Sequence, residues 1–295
     1  MRKGIQEPIG SVKALLVESA HGLGAFGDSG YADAEILLAH VLGRSRAWLI
    51  AHGDALVSTQ DARHLRELCA RRAAGVPIAY LLGSAYFYGR EFAVNETVLI
   101  PRPETERVVD EALAFIGDRP IRVLDVGTGS GAIACTIAAE SRAFVDATDS
   151  SPRAIELAVE NARRLGVDRN CRFHHGNLTE PVGGSRFDLV IANLPYVPTG
   201  DLPKPPDPVS YEPREALDGG PDGLDLYRAL LRTLPARMYD GGLILLEAAP
   251  PTISQLAALV GVSFPNRPIS ICNDYSGLAR YVKAAPGRSR QDPGN

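Results

Sequence analysis

Residues 125–131 read Asp-Val-Gly-Thr-Gly-Ser-Gly, three glycines at alternate positions directly after a short apolar run. Glycine tolerates positive φ and has no side chain, so backbone of this kind approaches a ligand closely. The spacing is G-x-G-x-G. It is not the dinucleotide G-x-G-x-x-G, and no Lys-Ser/Thr follows as in a P-loop, so phosphate binding is disfavoured. Asp149 ends the next apolar run. A carboxylate at such a place can accept both hydroxyls of a ribose, or it can cap the helix that Ser150-Ser151-Pro152 would start. Asn177, after Gly176, offers an amide to an adenine edge or simply makes a turn. The candidate cofactor set is therefore Gly127, Thr128, Gly129, Ser130, Gly131, Asp149 and Asn177, together with Asn193.

The second chemical segment is Asn193-Leu194-Pro195-Tyr196, behind the apolar run Phe187–Ala192. Asn193 carries a carbonyl acceptor and an NH2 donor on one side chain. The backbone carbonyl of Leu194 is a second acceptor, Pro195 fixes the turn, and Tyr196 presents a flat π face for a planar group. A conjugated NH2 is a poor nucleophile because its lone pair is delocalised. Two acceptors gripping its hydrogens enrich the nitrogen, and stacking orients it. Positioning of this kind can supply up to roughly 7–11 kcal/mol of barrier reduction, and preorganised dipoles supply more. The candidate catalytic residues are Asn193, Leu194, Pro195 and Tyr196. Taken alone, the tetrapeptide is also compatible with an ordinary strand-ending turn.

Alternating elements must deliver both segments. From Ile121 onward the chain reads as strand Ile121–Val126, helix Ala132–Ala139, strand Phe144–Thr148 ending at Asp149, and helix Ala154–Leu165. A weaker strand follows around Cys171–His174, then strand Phe187–Ala192, helix Leu224–Met238 and strand Gly242–Glu247. Such alternation predicts a mostly parallel sheet covered on both faces, with ligands at the carboxyl ends of its strands. Ahead of it, residues 1–75 read as helical. Tyr31–Gly43 is closed by Gly43, and a second helix carries Leu65, Leu68 and Cys69, with Gly75 and Pro77 closing it. Arg63, Arg66, Arg71 and Arg72 on that second helix read as a solvated face. Residues 84–100 are rich in β formers, with Gly89-Arg90 as the turn of a hairpin. Pro101 and Pro103 stiffen the exit from it. Residues 198–223, dense in proline and glycine, read as a functional lid or a disordered insert.

The bulk numbers narrow the partners. The chain has 295 residues and is 45% hydrophobic, enough for a sizeable core. Its 31 basic and 35 acidic residues give a formal charge of −4, which argues against a large phosphate-tracking surface. Cys69, Cys135, Cys171 and Cys272 form no CxxC pair and read as buried free thiols of a reducing compartment. The adjacent His174 and His175 would point to opposite faces of a strand, and no metal is expected. No leader-like segment or long apolar run is evident, so a cytoplasmic protein is expected.

The glycine segment, Asp149 and the alternating elements resemble class I S-adenosylmethionine-dependent methyltransferases over residues 121–283. Asn-Leu-Pro-Tyr resembles the Asn-Pro-Pro-Tyr motif of amino-methyltransferases acting on glutamine amides, adenine and cytosine, with Leu194 in place of the commoner proline. It also occurs in ribosomal RNA adenine dimethyltransferases. Further segments are similar to the release-factor glutamine methyltransferase family. They are Asp33-Ala-Glu35-Ile-Leu-Leu, Arg72-Ala-Ala-Gly75-Val-Pro77-Ile-Ala-Tyr80-Leu-Leu-Gly83, Phe87-Tyr88-Gly89 and Leu99-Ile100-Pro101-Arg102-Pro103-Glu104-Thr105-Glu106. Later come Tyr211-Glu212-Pro213, Ala216-Leu217, Gly219-Gly220, Asp222-Gly223-Leu224 and Tyr227-Arg228. Glu247-Ala248-Ala249 departs from the family's usual Glu-Ile-Gly, and Asn177 stands at an often aromatic position.

The resemblance implies a Rossmann-like α/β catalytic domain over residues 105–284, a β-hairpin linker over 84–104 and a helical substrate-docking domain over 1–83. A disordered tail is expected over 285–295. It implies S-adenosyl-L-methionine as cofactor, S-adenosyl-L-homocysteine as product, and the Gly-Gly-Gln glutamine of peptide chain release factors as methyl acceptor. A monomer is expected, with no direct nucleic-acid contact and no membrane. Arg102 and Glu104 either close over the site or form a structural salt bridge, and Glu212 and Pro213 border the glutamine channel. Two other readings stay open at this point: methylation of a ribosomal-protein glutamine, and adenine N6-methylation on nucleic acid.

Overall fold

A computed structural model describes residues 8–24 and 29–287. The chain divides into two units. One takes in the residues up to Gly83 plus Pro203–Tyr211, and the other takes in Ser84–Leu202 and the residues from Glu212 onward.

The first unit is helical but opens on a strand. β1 (Pro8–Ser11) leads into α1 (Val12–Gly22), with the Ser11 hydroxyl accepting from Ala14 N at 3.3 Å as its N-cap. Then come α2 (Ser29–Leu42), α3 (Arg46–Ala51), β2 (Leu56–Ser58), α4 (Thr59–Ala73) and α5 (Ile78–Leu82). β1 and β2 pair antiparallel, which corrects the all-helical reading of residues 1–75. Both strands are too short for a period to register, and β1 contains a proline and a glycine that no helix favours. Residues 1–7 lie outside the described ones. Val12, Leu15, Leu37, Leu38, Leu49 and Leu65 form the core of this unit. The solvated reading holds for Arg63 and Arg71, which are exposed, and Arg66 pairs with Glu18 at 2.6 Å. It fails for Arg72, which is buried with its Nε donating to Asp33 at 2.7 Å. Asp33 and Glu35 are thus anchors: Glu35 accepts from Arg46 Nε at 3.0 Å.

The second unit begins with a hairpin, β3 (Ser84–Phe87) and β4 (Arg90–Ala93). Its turn is Tyr88-Gly89, one residue earlier than expected. Both have positive φ, 51° and 71°, and Arg90 already pairs with Phe87. This is the backbone handedness that two-residue hairpin turns require. Val98, Leu99 and Ile100, expected in a strand, follow the hairpin as irregular chain.

Beyond α6 (Glu106–Ile116) the alternation is as read. The order is β5 (Arg122–Val126), α7 (Ala132–Glu140), β6 (Phe144–Asp149), α8 (Pro152–Arg164), β7 (Cys171–His175) and β8 (Phe187–Ala192). Next are α9 (Asp225–Thr233), β9 (Met238–Glu247), α10 (Ile253–Ser263), β10 (Ile269–Asn273) and β11 (Ala279–Ala284). α9 is shorter than the expected Leu224–Met238. Pro235 lacks an N–H and breaks the ladder, so a 3-10 turn covers Leu234–Arg237 and Met238 already opens β9. One seven-stranded sheet runs β10-β11-β9-β8-β5-β6-β7. β7, β6, β5, β8 and β9 are parallel, and β11 inserts antiparallel between β9 and β10. Alternate residues of its central strands serve opposite faces. Val123, Val145, Leu189 and Leu245 pack with α6, α7 and Phe87 and Phe92 of the hairpin, while Leu124, Val190 and Leu246 pack with α9 and α10.

Residues 198–223 are threaded through short 3-10 turns at Thr199–Asp201, Pro208–Tyr211 and Arg214–Ala216, with a bridge between Val197 and Asp218. β11 continues through Ala284, and Ala285 N donates to the Pro268 carbonyl at 2.9 Å. Residues 288–295 of the expected tail lie outside the described ones. All four cysteines are free; Cys135 and Cys171 are buried, Cys69 and Cys272 half-buried. His174 Nε2 lies 2.9 Å from Asp146. Among the described residues, no helix is long and apolar enough to cross a membrane.

Candidate active site

The carboxyl ends of β5 and β6 build the glycine turn largely from backbone. Gly127 N and Thr128 N donate to the Thr148 carbonyl at 2.9 and 3.0 Å, and Gly131 N donates to the Thr128 carbonyl at 2.9 Å. Gly127, Gly129 and Gly131 take φ of 77°, 55° and 79°, the left-handed region that a side chain would strain. Nothing lies within 4 Å of where a Cβ of Gly129 would stand, so bare backbone faces open space there. Asp149 holds the turn from β6. Its two oxygens accept from Gly129 N and Ser151 N, each at 2.9 Å. The helix N-cap is Ser151, not Asp149, because the Ser151 hydroxyl accepts from Ala154 N. Burial raises the Asp149 carboxyl above its ordinary range, and these backbone donors offset part of that.

Asp125 is fully buried beneath the turn. One oxygen accepts from the Thr128 hydroxyl at 2.7 Å and the other has no partner. Burial pushes its carboxyl up to about 7. Asn161 on α8 is also fully buried. It donates to the carbonyls of Ala93 and Ser130 at 3.0 and 2.9 Å and accepts from Ala93 N at 2.8 Å, so one amide ties hairpin to glycine turn. A sequence signal for Asn161 exists: it falls on the apolar stripe of Ala154, Leu157, Ala158 and Ala162.

β8 delivers Asn193 beside this turn. A Cβ on Gly127 would stand 2.8 Å from Leu194 Cδ2 and 3.6 Å from the Asn193 carbonyl oxygen. Asn193 Nδ2 donates to the Thr105 hydroxyl at 3.3 Å. Leu194 N donates to the Tyr227 hydroxyl at 3.1 Å, and that hydroxyl donates in turn to the Glu247 carbonyl. Thr105, Tyr227 and Glu247 are buried, and their roles here escape a reading of local motifs.

Of the candidate residues, Gly127, Thr128, Gly129, Ser130, Asp149, Asn177, Asn193, Leu194 and Pro195 line one cleft. Its space, open mouth included, is about 1020 Å³. Gly131 and Tyr196 do not line it. Gly131 starts α7, where a Cβ would press to 3.1 Å on Ala158. Tyr196 packs against the α9–α10 core, and burial raises its phenol to about 12, with Glu247 adding to the shift. Arg102 and Pro213 line the cleft. Arg102 pairs with Glu212 at 2.6 Å, and Glu212 also accepts from Ile100 N at 3.0 Å. Glu212 therefore fastens the proline-stiffened segment.

A glycine turn after the first parallel strand and an asparagine turn after the fourth, opening on one cleft of such a sheet, define a Rossmann-like methyltransferase. Residues 118–232 match a methyltransferase domain model, and residues 15–83 match the PrmC N-terminal domain. Release factor glutamine methyltransferase of Bacillus anthracis is 37% identical, covering 85% of this chain and 90% of that protein. The proteins of the same name from Xylella fastidiosa (strain Temecula1) and Bordetella pertussis are 41% and 43% identical, over 78% and 73% of this chain and 86% and 80% of their own. Among solved structures, a methyltransferase from Pyrococcus furiosus aligns with a TM-score of 0.51 at 18% identity, covering 68% of this chain and 91% of that one. This last likeness concerns the fold. The chain belongs to the release factor glutamine methyltransferase family.

Proposed function

We propose that this chain transfers a methyl group from S-adenosylmethionine to the side-chain amide nitrogen of glutamine in the Gly-Gly-Gln loop of peptide chain release factors. The observation that carries this reading is the shared cleft, where bare backbone at Gly129 and the Asn193-Leu194-Pro195 turn face the same space. The residues fit the cofactor. Gly129 leaves room for it, Asp149 stands where a ribose would be held, and Asn177 stands exposed at the rim for the adenine. When bound, the cofactor supplies an electrophilic methyl on a sulfonium.

The chain does the rest by orientation. Asn193 Oδ1 and the Leu194 carbonyl accept the two amide hydrogens of the glutamine and Pro195 fixes the turn, while Tyr196, packed against the α9–α10 core, anchors that turn from behind and does not stack on the substrate as its type suggests. Two acceptors on the NH2 enrich the nitrogen, and holding it in line supplies much of the rate. No strong base is required, because an amide nitrogen becomes acidic as it is alkylated and releases one of its N–H protons to water. The helical unit docks the protein substrate, and exposed Ile50 and Leu56 give it apolar surface to do so. The enzyme works as a cytoplasmic monomer without direct nucleic-acid contact; the formal charge of −4 supports the last point.

The test is incubation with labelled cofactor plus purified release factors, ribosomal proteins and nucleic acid, followed by mass spectrometry. Label on the Gly-Gly-Gln glutamine is expected. Label confined to a ribosomal protein or to adenine overturns the reading.

A further inference from the structure

Glu247 ends β9 with its side chain inside the protein, 1% exposed, and neither carboxylate oxygen has a hydrogen-bond partner. A buried carboxylate left this way is costly, and a folded chain retains one where it serves something else. Burial raises the group to about 7; the Thr105 hydroxyl, the charge of Arg280 and the Asn193 amide oppose that rise, the hydroxyl and amide lying near enough to act as donors although neither closes a full hydrogen bond, and Glu104 adds to it. The nearby cation is already committed, since Arg280 Nε donates to Asp274 at 3.1 Å. Tyr196 lies in the same field. Glu247 is buried behind the cleft and is not among the residues that line it.

The register places it beside Asn193. β8 and β9 run parallel with Ala192 opposite Leu246, so the next residues, Asn193 and Glu247, leave the sheet side by side. The Tyr227 hydroxyl then fastens the backbone of Leu194 to that of Glu247. Asn193 is an amide with two chemically opposite ends, and only its oxygen is useful toward a substrate NH2. Its Nδ2 has one bond, to Thr105 at a long 3.3 Å, and a hydroxyl tolerates either end of an amide. A carboxylate does not: above about pH 7, where burial has moved its ionisation, it accepts only.

Resting on the reading of Asn193 as a methyl-acceptor grip, we propose that Glu247 is the positioning residue of that grip. Its carboxylate takes the Asn193 Nδ2 hydrogen that Thr105 does not, leaving Asn193 Oδ1 directed into the cleft. Glu247 thereby decides which end of Asn193 meets the substrate without touching the substrate. A glutamine at 247 keeps the shape but offers a donor as well as an acceptor, so it satisfies Asn193 in either orientation.

The test is Glu247→Gln in the full chain, assayed with S-adenosylmethionine and a Gly-Gly-Gln peptide. The expected result is a kcat lower by about a hundredfold, the scale of a misplaced catalytic group. Cofactor affinity by calorimetry should stay within about twofold, and melting temperature should be unchanged or higher, because a desolvated charge is gone. A kcat within about threefold of wild type overturns the proposal, as does a loss of cofactor affinity as large as the loss of kcat. A second readout needs no turnover. The Asn193 Nδ2 proton resonances should move as Glu247 titrates in the wild-type chain and stand still in Glu247→Gln. If they stand still in both, Glu247 does not hold Asn193. A wild-type chain that methylates neither the peptide nor a whole release factor would defeat the substrate reading, and the resonances would still report on Glu247.

Discussion

The glycine turn and the asparagine turn stand at the ends of neighbouring strands, β5 and β8, yet they are held by opposite means. The glycine turn is fastened mostly by main chain, through the Thr148 carbonyl, and by Asp149 on the adjacent strand. The asparagine turn is fastened by side chains from afar: Thr105 is 88 residues away and Tyr227 is 33. The difference follows from what each must do. A cofactor cradle needs bare backbone, and main-chain bonds to the adjacent strand, with Asn161 at the Ser130 carbonyl, suffice to shape it. An acceptor grip needs one side chain in one orientation, and only convergent side chains define that.

The comparison breaks most sharply at Asn193. Asn193→Ala should lower kcat by about 10²–10³, the range for losing a preorganised polar contact in a transition state. Cofactor affinity by calorimetry should fall far less. Near-normal methylation of a release factor by this variant would remove Asn193 from the reaction.

Asp149→Ala should show the mirror image. Gly129 N and Ser151 N lose their acceptor along with the proposed ribose contact. Cofactor Kd should rise by roughly 10–100-fold, as expected for hydrogen bonds to a charged group. At saturating cofactor, kcat should stay near the wild-type value; unchanged calorimetric affinity would contradict ribose recognition.

The smallest effect is expected at the support itself. Tyr227→Phe leaves Leu194 N and the Glu247 carbonyl without their shared hydroxyl. Unfolding by denaturant should show a loss of roughly 1–2 kcal/mol, with a reduced kcat and little change in cofactor affinity. Equal loss on both sides would mean that the two turns are not separately supported.

The same contrast explains what was legible in the sequence. The glycine turn is contiguous, its strand precedes it, and its conformation follows from residue type, so reading 125–131 suffices. The parallel strands were legible for the same reason: β8, Phe187–Ala192, is a run buried on both faces and bounded by a turn. Asn193 could be picked out as a chemical group; Thr105, Tyr227 and Glu247 stand in family-like segments, but nothing in their types says that they meet Asn193. Thr105 lies on another element, and Tyr227 and Glu247 look like ordinary members of an amphipathic helix and a buried strand. Short edges were also silent. β1 has four residues, and β10 is an edge strand with no residue fully buried, so neither carries a clear period. The turn at Tyr88-Gly89 was misplaced by one residue because positive φ on a tyrosine is not written in its type.

Leu194 fills the room that a β-carbon at 127 would need. The two halves of the site therefore share one seam of packing, though they are built by different means. A methyl at 127 would meet both the Leu194 side chain and the strain of a φ of 77°, so the bareness of that position is set by the neighbouring turn as well as by any ligand.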